Sequence, residues 1–361
     1  MRIGIVGMPN AGKSSLFNAL TRGGAEAANY PFTTVEPNVA IVPVPDERLD
    51  RVADVVGAAP MVYETIAFHD IAGLIRGAHR GEGLGNQFLA NIRETDAIVH
   101  VVRAHDDPQV VHPEGRVDPA ADLEAVETEL LYADLEQAER RLERVSRQAK
   151  SHERAAVAEE TWLHDVVEGL RAGRPVRLAS SPPGDAPGAR AALQPLTLKP
   201  VLIVANVGEN DPDALPGAVS EHAARTGALA VAVSARLESE LAEMDAEEAA
   251  AMREELGIAE SGLERVVRAA FDLLRLISFF TANAGSEARA HAVPDGTTAW
   301  DAAGEVHTDM QRGFVRAEVV PWDALVEAGG YAGARDRGTL RLEGRDYPVR
   351  DGDVITIRFS A

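Results

Sequence analysis

The eight residues Gly7-Met8-Pro9-Asn10-Ala11-Gly12-Lys13-Ser14 carry the strongest structural signal in this sequence. They match the pattern G-x-x-x-x-G-K-[ST], in which glycines allow backbone N–H groups to wrap around phosphate oxygens. The apolar strand-like run Ile3–Val6 precedes them, and a sequence typical of an amphipathic helix, Ser15–Leu20, follows. A strand, a glycine-rich loop and a helix N-terminus in this order form a phosphate-binding site.

This loop predicts a role for each of its residues. We expect Lys13 to reach the β- and γ-phosphates of a nucleotide and the Ser14 hydroxyl to bind Mg²⁺. The residues expected around the bound phosphates are Asn10, Ala11, Gly12, Lys13, Ser14 and Ser15.

Four further short apolar runs recur along the chain, each bounded by polar or turn-forming residues. They are Thr65–Phe68, Ile98–Val102, Val201–Ala205 and Leu229–Val233. Runs of this length, apolar nearly throughout, are typical of parallel strands that helices cover on both faces. Together with Ile3–Val6 they predict a doubly wound α/β fold with a mostly parallel sheet.

Two further elements predict a metal site and a sensor of the γ-phosphate. Asp70 and Gly73 form a D-x-x-G motif directly after the second run, where the carboxylate can hold Mg²⁺ and the Gly73 N–H can contact the γ-phosphate. Between the two motifs, Thr33 and Thr34 lie in a loop of the kind that reports whether the γ-phosphate is present. We favour Thr34 over Thr33 as the metal ligand.

Residues from Asp122 to Ala172 are rich in Ala, Glu, Leu and Arg and contain no proline. Apolar residues recur there at alternating spacings of four and three, which is a heptad pattern. These residues are Leu131, Leu135, Ala138, Leu142, Val145 and Ala149, followed on a second helical stretch by Trp162, Val166 and Leu170. The pattern predicts an antiparallel coiled-coil hairpin inserted in the sheet domain, with two ordinary covering helices as the alternative. Residues 180–188 then predict a mobile surface loop.

The C-terminal part of the chain differs from both preceding regions. From about Ser278 it contains the short strand-like stretches Val315–Val319, Thr339–Leu342 and Val354–Phe359, together with glycine-rich turns. We expect a small α+β module there.

Composition excludes several classes of protein. The chain has no cysteine, which excludes disulfides, thiolate zinc sites and thiol catalysis. Its net charge of −21 argues against indiscriminate binding to nucleic acid or to an acidic membrane. No apolar run reaches the ~18–20 residues that a membrane span requires. A cytoplasmic protein without membrane attachment is therefore the expectation.

The residues after the fourth apolar run indicate which base is bound. GTPases carry N-K-x-D at this point, with the Asp accepting two hydrogen bonds from guanine. Here the segment contains Asn206, Val207 and Glu209. A longer carboxylate in a site built for a bidentate contact loses much of the discrimination, so adenine becomes permitted. Ser234 and Ala235, after the fifth run, fit the loop that closes over the base.

These stretches resemble the YchF/Obg-like ATPase family of P-loop NTPases. The resemblance covers nearly the whole chain, and it is strongest at Gly7–Ser14, Asn29–Asn38, Asp70–Leu74, Asn206–Glu209 and His307–Ala361. It implies a G domain over residues 1–277, interrupted by a helical coiled-coil insert at 122–198. A C-terminal, β-grasp-like TGS domain over residues 278–361 follows. The family is similar in hydrolysing ATP in preference to GTP and in associating with ribosomes, either the 50S subunit or the 70S particle.

The resemblance also implies how hydrolysis proceeds. Leu74 stands where Ras-like enzymes carry a water-orienting glutamine, and an aliphatic side chain cannot polarise water. Asn10 matches an asparagine associated with a K⁺ ion, and His112 matches a histidine proposed to swing toward the γ-phosphate. From the residues alone, a histidine in such a loop is more often simply solvated, and it is the resemblance that makes His112 a catalytic candidate. The catalytic set implied by the resemblance is His112, Lys13 and Gly73.

The predicted C-terminal domain contains several arginines that could face phosphate groups on RNA. They are Arg312, Arg316, Arg335, Arg337, Arg341 and Arg345. The alternative is that they are dispersed over a solvated surface. We expect ribosome contact through the TGS and coiled-coil surfaces and no sequence-specific DNA binding. Redox regulation through cysteine, as described for the family, is excluded here.

Three functions remain open from the sequence. The first is a slow Mg²⁺-dependent ATPase that acts as a ribosome-associated switch. The second is an Obg-type GTPase with relaxed base specificity. The third is a ribosome- or RNA-binding module in which the nucleotide is mainly structural.

Overall fold

A computed structural model describes residues 1–27, 38–71, 84–108, 110–113, 115–258 and 260–360. The chain forms two compact units, one of Met1–Val42 and Ala67–Leu273 and the other of Pro43–Ile66 and Leu274–Ala361. The G domain that the resemblance implies, residues 1–277, includes residues 43–66, whereas the structure groups these residues with the C-terminal part. The reason is that Leu49 and Val52 are fully buried in a core of the second unit.

In chain order, the strands of the described residues are β1 (Arg2–Val6), β2 (Val39–Val44), β3 (Met61–Val62), β4 (Glu64–Asp70), β5 (Ala97–Arg103), β6 (Val201–Asn206), β7 (Leu229–Val233), β8 (Leu276–Ala282), β9 (Ala288–Pro294), β10 (Phe314–Pro321), β11 (Arg341–Glu343) and β12 (Asp353–Phe359). The division between the two units falls within β2 and β4.

The helices are α1 (Lys13–Ala27), α2 (Glu47–Val56), α3 (Leu84–Arg93), α4 (Pro119–Ala149), α5 (Arg154–Arg171), α6 (Ala189–Leu193), α7 (Gly217–Thr226), α8 (Ala235–Leu241), α9 (Ala246–Glu255), α10 (Gly262–Leu273), α11 (Ala299–Val306), α12 (Thr308–Arg312), α13 (Trp322–Glu327) and α14 (Tyr331–Asp336). Two short 3₁₀ helices, Val176–Leu178 and Leu196–Leu198, lie between α5 and β6. No helix of the described ranges is long and apolar enough to cross a membrane.

The first unit is built on a sheet with the strand order β2-β4-β1-β5-β6-β7. The pairs β4/β1, β1/β5, β5/β6 and β6/β7 are parallel. All residues of the central strand β5 are buried, which requires cover on both faces. The five predicted runs all form strands of this sheet, so the doubly wound fold is confirmed. Because these strands are parallel, their carboxyl ends and the loops that follow them meet at one edge.

Strand β2 is absent from the sequence prediction. Its run includes Pro43, and proline lacks the N–H that a central strand must donate. The structure places β2 at the edge of the sheet, where a proline is tolerated.

The inserted segment forms the predicted hairpin of α4 and α5, joined by residues 150–153. Its core contains Ala138, Val145, Trp162 and Leu170, with Leu131, Leu135 and Leu142 partly buried around it. The N-terminal half of α4 packs elsewhere, since Val126 and Leu130 belong to a core with β1, α3 and β5. One helix therefore serves both the sheet and the hairpin.

The segment that returns from the hairpin to β6 is fastened by one buried carboxylate. Asp134 of α4 accepts hydrogen bonds from the backbone N–H groups of Leu196 and Thr197, each at 2.8 Å, and from the Thr197 hydroxyl at 2.7 Å. Residues 180–188 form no helix or strand, as predicted for a surface loop. This loop also contributes Ala186 to the hairpin core, and the Ser180 carbonyl accepts a hydrogen bond from the Trp162 indole at 3.1 Å.

The second unit contains a mixed sheet with the order β11-β10-β12-β8-β9-β3. Its central pair β12/β8 is parallel, whereas β10/β12 and β8/β9 are antiparallel. One core lies among α2, α13 and α14, and a second lies around α11. The sequence prediction locates β10, β11 and β12 but misses β8 and β9. Arg289 and His291 interrupt the apolar pattern of β9.

The arginines of the second unit are not equivalent. Arg341 lies over the ring of Tyr347, and Arg345 donates to the Phe314 carbonyl at 3.3 Å. By contrast, the charges of Arg316 and Arg335 act on Glu318, which also forms a bidentate pair with Arg358 at 3.1 Å. The phosphate-facing patch stays a prediction, and the arginines around Glu318 are one part of it.

The buried imidazole of His291 should make the second unit sensitive to acid. It stacks on Phe279 with ring centroids 4.8 Å apart, and its Nε2 lies 3.0 Å from the Thr281 hydroxyl. Burial, helped by the charge of Arg289 and opposed by Glu287, lowers the pKa of His291 to about 4. Protonation therefore favours the unfolded chain, and stability falls as pH drops from about 6.5 to about 4.

Between pH 7.5 and about pH 5, we expect the free energy of unfolding of His291→Gln to fall by about 2 kcal/mol less than that of the unaltered protein. The measurement is urea denaturation at both pH values, in which unfolding is monitored through spectroscopic signals of residues in the second unit. The exposed His307 provides the control, and His307→Gln should leave the loss as in the unaltered protein. An equal loss in both variants would contradict this assignment.

Candidate functional site

The loop after β1 has a backbone that only glycine can form at two positions. Gly7 has a φ of 154° and Gly12 a φ of 100°. A Cβ atom on Gly7 would lie 2.3 Å from the Val101 carbonyl oxygen, and one on Gly12 would lie 2.2 Å from Nδ2 of Asn206. The two glycines therefore let the loop approach β5 and β6 closely.

Lys13 is the first residue of α1, and it is buried in this loop, with 8% of its surface exposed. Its Nζ donates a hydrogen bond to the Met8 carbonyl at 2.9 Å. Burial lowers the pKa of the Lys13 ammonium, and the charge of Asp70 partly opposes this. A desolvated cation of this kind gains strongly from an added anion. The geometry suits a phosphate group above the loop.

Asn206, the last residue of β6, holds two of the loops together. Its Nδ2 donates to the Ala11 carbonyl at 3.1 Å, and its Oδ1 accepts from the Ala235 N–H at 3.1 Å. The backbone N–H of Ala11 itself donates to the Met8 carbonyl at 3.3 Å. Ala11 is thus buried below the loop and does not line the open side. A contact of Asn206 with a base stays a prediction.

The loops after β1, β5, β6 and β7 enclose one cleft of about 1010 Å³. This volume is at the upper end of small-molecule sites and suffices for a nucleoside triphosphate. Of the predicted residues, the cleft is lined by Asn10, Gly12, Lys13, Ser14, Ser15, Asn206, Val207, Glu209, Ser234 and Ala235. Topology therefore brings together side chains from four separate parts of the chain.

Glu209 lies at the end of the cleft formed by the loops after β6 and β7. It pairs there with Arg236, a partner that the sequence motifs do not reveal. Its carboxylate is 2.9 Å from Nε of Arg236, which is also 3.2 Å from Glu240. Both members of the Glu209–Arg236 pair are well exposed, so the pair contributes little to stability and a ligand can displace it. Val207 is mostly buried in the core around β6 and presents only one edge to the cleft.

Ser234 contributes to the cleft mainly through its backbone. Its hydroxyl caps α8 by accepting from the Leu237 N–H at 3.4 Å. This use of the side chain fits the expected loop over the base, in which backbone groups make the contacts.

The loop after β5 is organised by Arg103, another residue that no sequence motif singles out. Its guanidinium is buried and donates to the carbonyls of His105, Asp107 and Val110 at 2.8–3.0 Å. Asn10 fastens the same loop, because its Nδ2 donates to the Val111 carbonyl at 2.9 Å. An arginine at the end of a largely apolar run, which only His100 interrupts, is the sequence signal that could have revealed this role.

His112 does not line the cleft among the residues that the structure describes there. It is 8% exposed, and its Nε2 lies 2.8 Å from Oδ2 of Asp122 in the first turn of α4. A catalytic role for His112 therefore needs a change of its position. The predicted Thr34 and Gly73 lie outside the described residues.

The oxygen atoms near the loop fit a hard divalent cation. Asp70 ends β4 beside β1, and Ser14 is the second residue of α1 and has an exposed side chain. Hydroxyl and carboxylate oxygens are suitable Mg²⁺ ligands when substrate phosphates complete the shell. No group of three or more His, Cys, Asp or Glu side chains within the described ranges could hold a metal ion by itself. The donor set thus fits Mg²⁺ that arrives with a phosphorylated ligand.

Comparison with protein families identifies both parts of the chain. Residues 2–151 match a family model described as a 50S ribosome-binding GTPase. Residues 276–360 match the model YchF-GTPase_C, described as "Protein of unknown function (DUF933)".

Whole-length relatives are similar as well. The chain is 46% identical to the ribosome-binding ATPase YchF of Haemophilus ducreyi, over 99% of each protein. It is 46% identical to the protein of the same name from Bacillus subtilis, over 99% of this chain and 98% of the relative. Among solved structures, the Schizosaccharomyces pombe YchF GTPase matches with a TM-score of 0.88 and 32% identity, over 99% of this chain and 97% of the other.

Proposed function

Because this chain belongs to the YchF family, we propose that it is a Mg²⁺-dependent nucleotide triphosphatase that hydrolyses ATP and acts as a ribosome-associated switch. The observation that carries the proposal is the cleft, in which the phosphate loop faces a base-reading segment that lacks the guanine-selective Lys and Asp. Relatives at 46% identity are named ribosome-binding ATPases.

The phosphate end of the site uses the charge and backbone of this chain. Lys13 neutralises the β- and γ-phosphates and exchanges its bond to the Met8 carbonyl for bonds to phosphate oxygens. The N-terminus of α1 adds the partial positive charge of its unpaired N–H groups. Ser14, Asp70 and Thr34 hold Mg²⁺, which neutralises charge on the phosphates when bound. The Gly73 N–H contacts the γ-phosphate.

The end of the cleft that would bind the base permits adenine, because it lacks the residue contacts that select guanine. Glu209 is one methylene longer than the usual aspartate, and Arg236 draws its carboxylate toward α8. A purine that enters must displace this exposed pair, and neither side chain is fixed for a bidentate contact with guanine.

Slow intrinsic turnover is expected, because Leu74 replaces a water-orienting glutamine. The amide of Asn10 provides an oxygen for a K⁺ ion, since its nitrogen is committed to the Val111 carbonyl. His112 is the candidate for the group that approaches the γ-phosphate. The preceding residue already touches the phosphate loop, which supports this role.

Contact with the 50S or 70S ribosome is proposed to be local, through the hairpin and the C-terminal unit. The net charge of −21 opposes wide coverage of RNA. The arginines around Glu318 offer a small site for phosphates, and binding of this kind weakens as salt increases.

The experiment that tests the function is a side-by-side titration with ATP and GTP, with and without ribosomes. We expect ATP to bind at least about 10-fold more tightly than GTP, and ribosomes to raise the hydrolysis rate. Glu209→Asp should narrow the preference, whereas the exposed and uninvolved Glu221→Asp should not. Equal affinity for both nucleotides would favour the GTPase with relaxed specificity. Binding without any hydrolysis would favour the module in which nucleotide is structural.

A further inference from the structure

The side chains of His112 and Asp122 form a buried pair beside the nucleotide cleft. Nε2 of His112 lies 2.8 Å from Oδ2 of Asp122, and each side chain is only 5% exposed. Asp122 is in the first turn of α4, where the helix N-terminus stabilises a carboxylate. A carboxylate oxygen accepts hydrogen bonds, so in this contact the Nε2–H of His112 donates to Oδ2 of Asp122.

The chain just before His112 points the other way, into the cleft. Val110 lines the cleft, and the Val111 carbonyl accepts the hydrogen bond from Asn10 of the phosphate loop. His112 is the residue after Val111, and successive Cα atoms are about 3.8 Å apart, so the backbone of His112 lies close to the phosphate loop. To enter the cleft, the imidazole has to leave its buried position beside Asp122. Its bond to Asp122 opposes that movement.

We propose that Asp122 is a latch that holds His112 out of the nucleotide cleft and so limits the basal rate of hydrolysis. The inference rests on the proposed function, because it needs ATP hydrolysis in which His112 takes part. Asp122 is a positioning residue and touches no substrate. Since it belongs to α4, which continues into the inserted hairpin, a displacement of the first turn of α4 releases His112. This links hydrolysis to whatever binds the hairpin.

The opposite role, an aspartate that orients an active histidine, requires the imidazole to face the substrate. The structure places His112 inside the protein, with its Nε2 committed to Asp122. The two roles predict opposite effects of losing the carboxylate. A latch raises the rate when removed, and an orienting residue lowers it.

The test is Asp122→Asn, measured by steady-state ATP hydrolysis with Mg²⁺ and without ribosomes. The amide keeps the shape of the side chain and removes the charge that strengthens the bond. We expect kcat to rise about 10-fold with KM for ATP unchanged, because the neutral hydrogen bond that the amide can still accept is weaker than the charge-assisted one by about this factor. In the background of His112→Ala, the same change should have no effect on kcat.

The matched control is Glu124→Gln, two residues along the same helix, where the side chain is exposed and pairs with the surface residue Arg225. It should leave kcat unchanged. Hydrogen exchange gives a second reading that does not depend on turnover. The Gly115 amide donates to the His112 carbonyl at 3.0 Å, so its exchange should accelerate in the Asp122→Asn protein.

An unchanged or lower kcat in Asp122→Asn would overturn the latch, as would Gly115 exchange equal to that of the unaltered protein. If Asp122→Asn does not fold, Asp122→Ser takes its place, because it also removes the carboxylate that holds His112. It should raise kcat in the same way, and an unchanged or lower kcat would overturn the latch. Failure of the proposed function has a different signature, since the unaltered protein would then hydrolyse no ATP.

Discussion

Replacing Lys13 with alanine should lower kcat/KM for ATP by about 100-fold or more while the protein stays folded. The ammonium is the cation buried within the phosphate loop, and its loss leaves the developing charge on the phosphates without that partner. Stability should be retained or should rise, because burial lowers the pKa of Lys13 and keeping it charged therefore costs free energy. The measurements are steady-state hydrolysis and thermal unfolding of the same samples.

The chain offers a matched control for this change. Lys150, at the end of α4, is an exposed lysine, and Lys150→Ala should alter neither hydrolysis nor unfolding. Parallel losses of activity and stability in Lys13→Ala would point to a structural role for this lysine. Unchanged hydrolysis would remove the phosphate loop from the mechanism.

The second large effect is expected from Gly12→Ala, which should weaken ATP binding by at least about 10-fold. The new Cβ atom would overlap Nδ2 of Asn206. The alanine would also have to keep the φ of 100° that Gly12 has, and residues with a side chain rarely adopt such an angle. Relief requires the loop to move away from β6 and to break the bond between Asn206 and Ala11. We expect about 1–3 kcal/mol of destabilisation from the strain.

Gly23→Ala provides the comparison for Gly12→Ala. This residue lies in helix α1, which follows the loop, and its added Cβ would meet only Leu263, at 3.8 Å. Alanine is the better helix former, so Gly23→Ala should be neutral or slightly stabilising and should leave ATP binding unchanged. Calorimetric titration with ATP measures both variants. Equal affinities of the two variants for ATP would show that the phosphate loop tolerates being moved away from β6.

Much of the first unit could be predicted because its signals are local. Five buried strands appear as short apolar runs, and the hairpin appears as a heptad pattern that needs no knowledge of distant residues. Strand β2 is not predicted because Pro43 is untypical of a strand. Strand β9 is not predicted because Arg289 and His291 alternate with its apolar residues. In both cases the strand is recognisable only from its partner strands.

The same contrast applies to the site. The phosphate loop could be read from eight consecutive residues, since its chemistry depends on backbone freedom and on one lysine. The roles of Arg236 and Asp122 could not, because each depends on a partner that no local motif specifies. The bond between Asn206 and Ala11 spans 195 positions in the chain.

The sequence by itself determined the phosphate loop, the order of the parallel strands along the chain, the inserted hairpin and the departure from the guanine-reading motif. These are properties of short segments, in which periodicity and residue type decide the outcome. Only the tertiary structure decided that residues 43–66 belong to the second unit, that Asn206 binds the Ala11 carbonyl and that His112 pairs with Asp122. The physical reason is that burial and hydrogen bonding act between groups that are close in space, and parallel strands bring distant segments to one edge of the sheet.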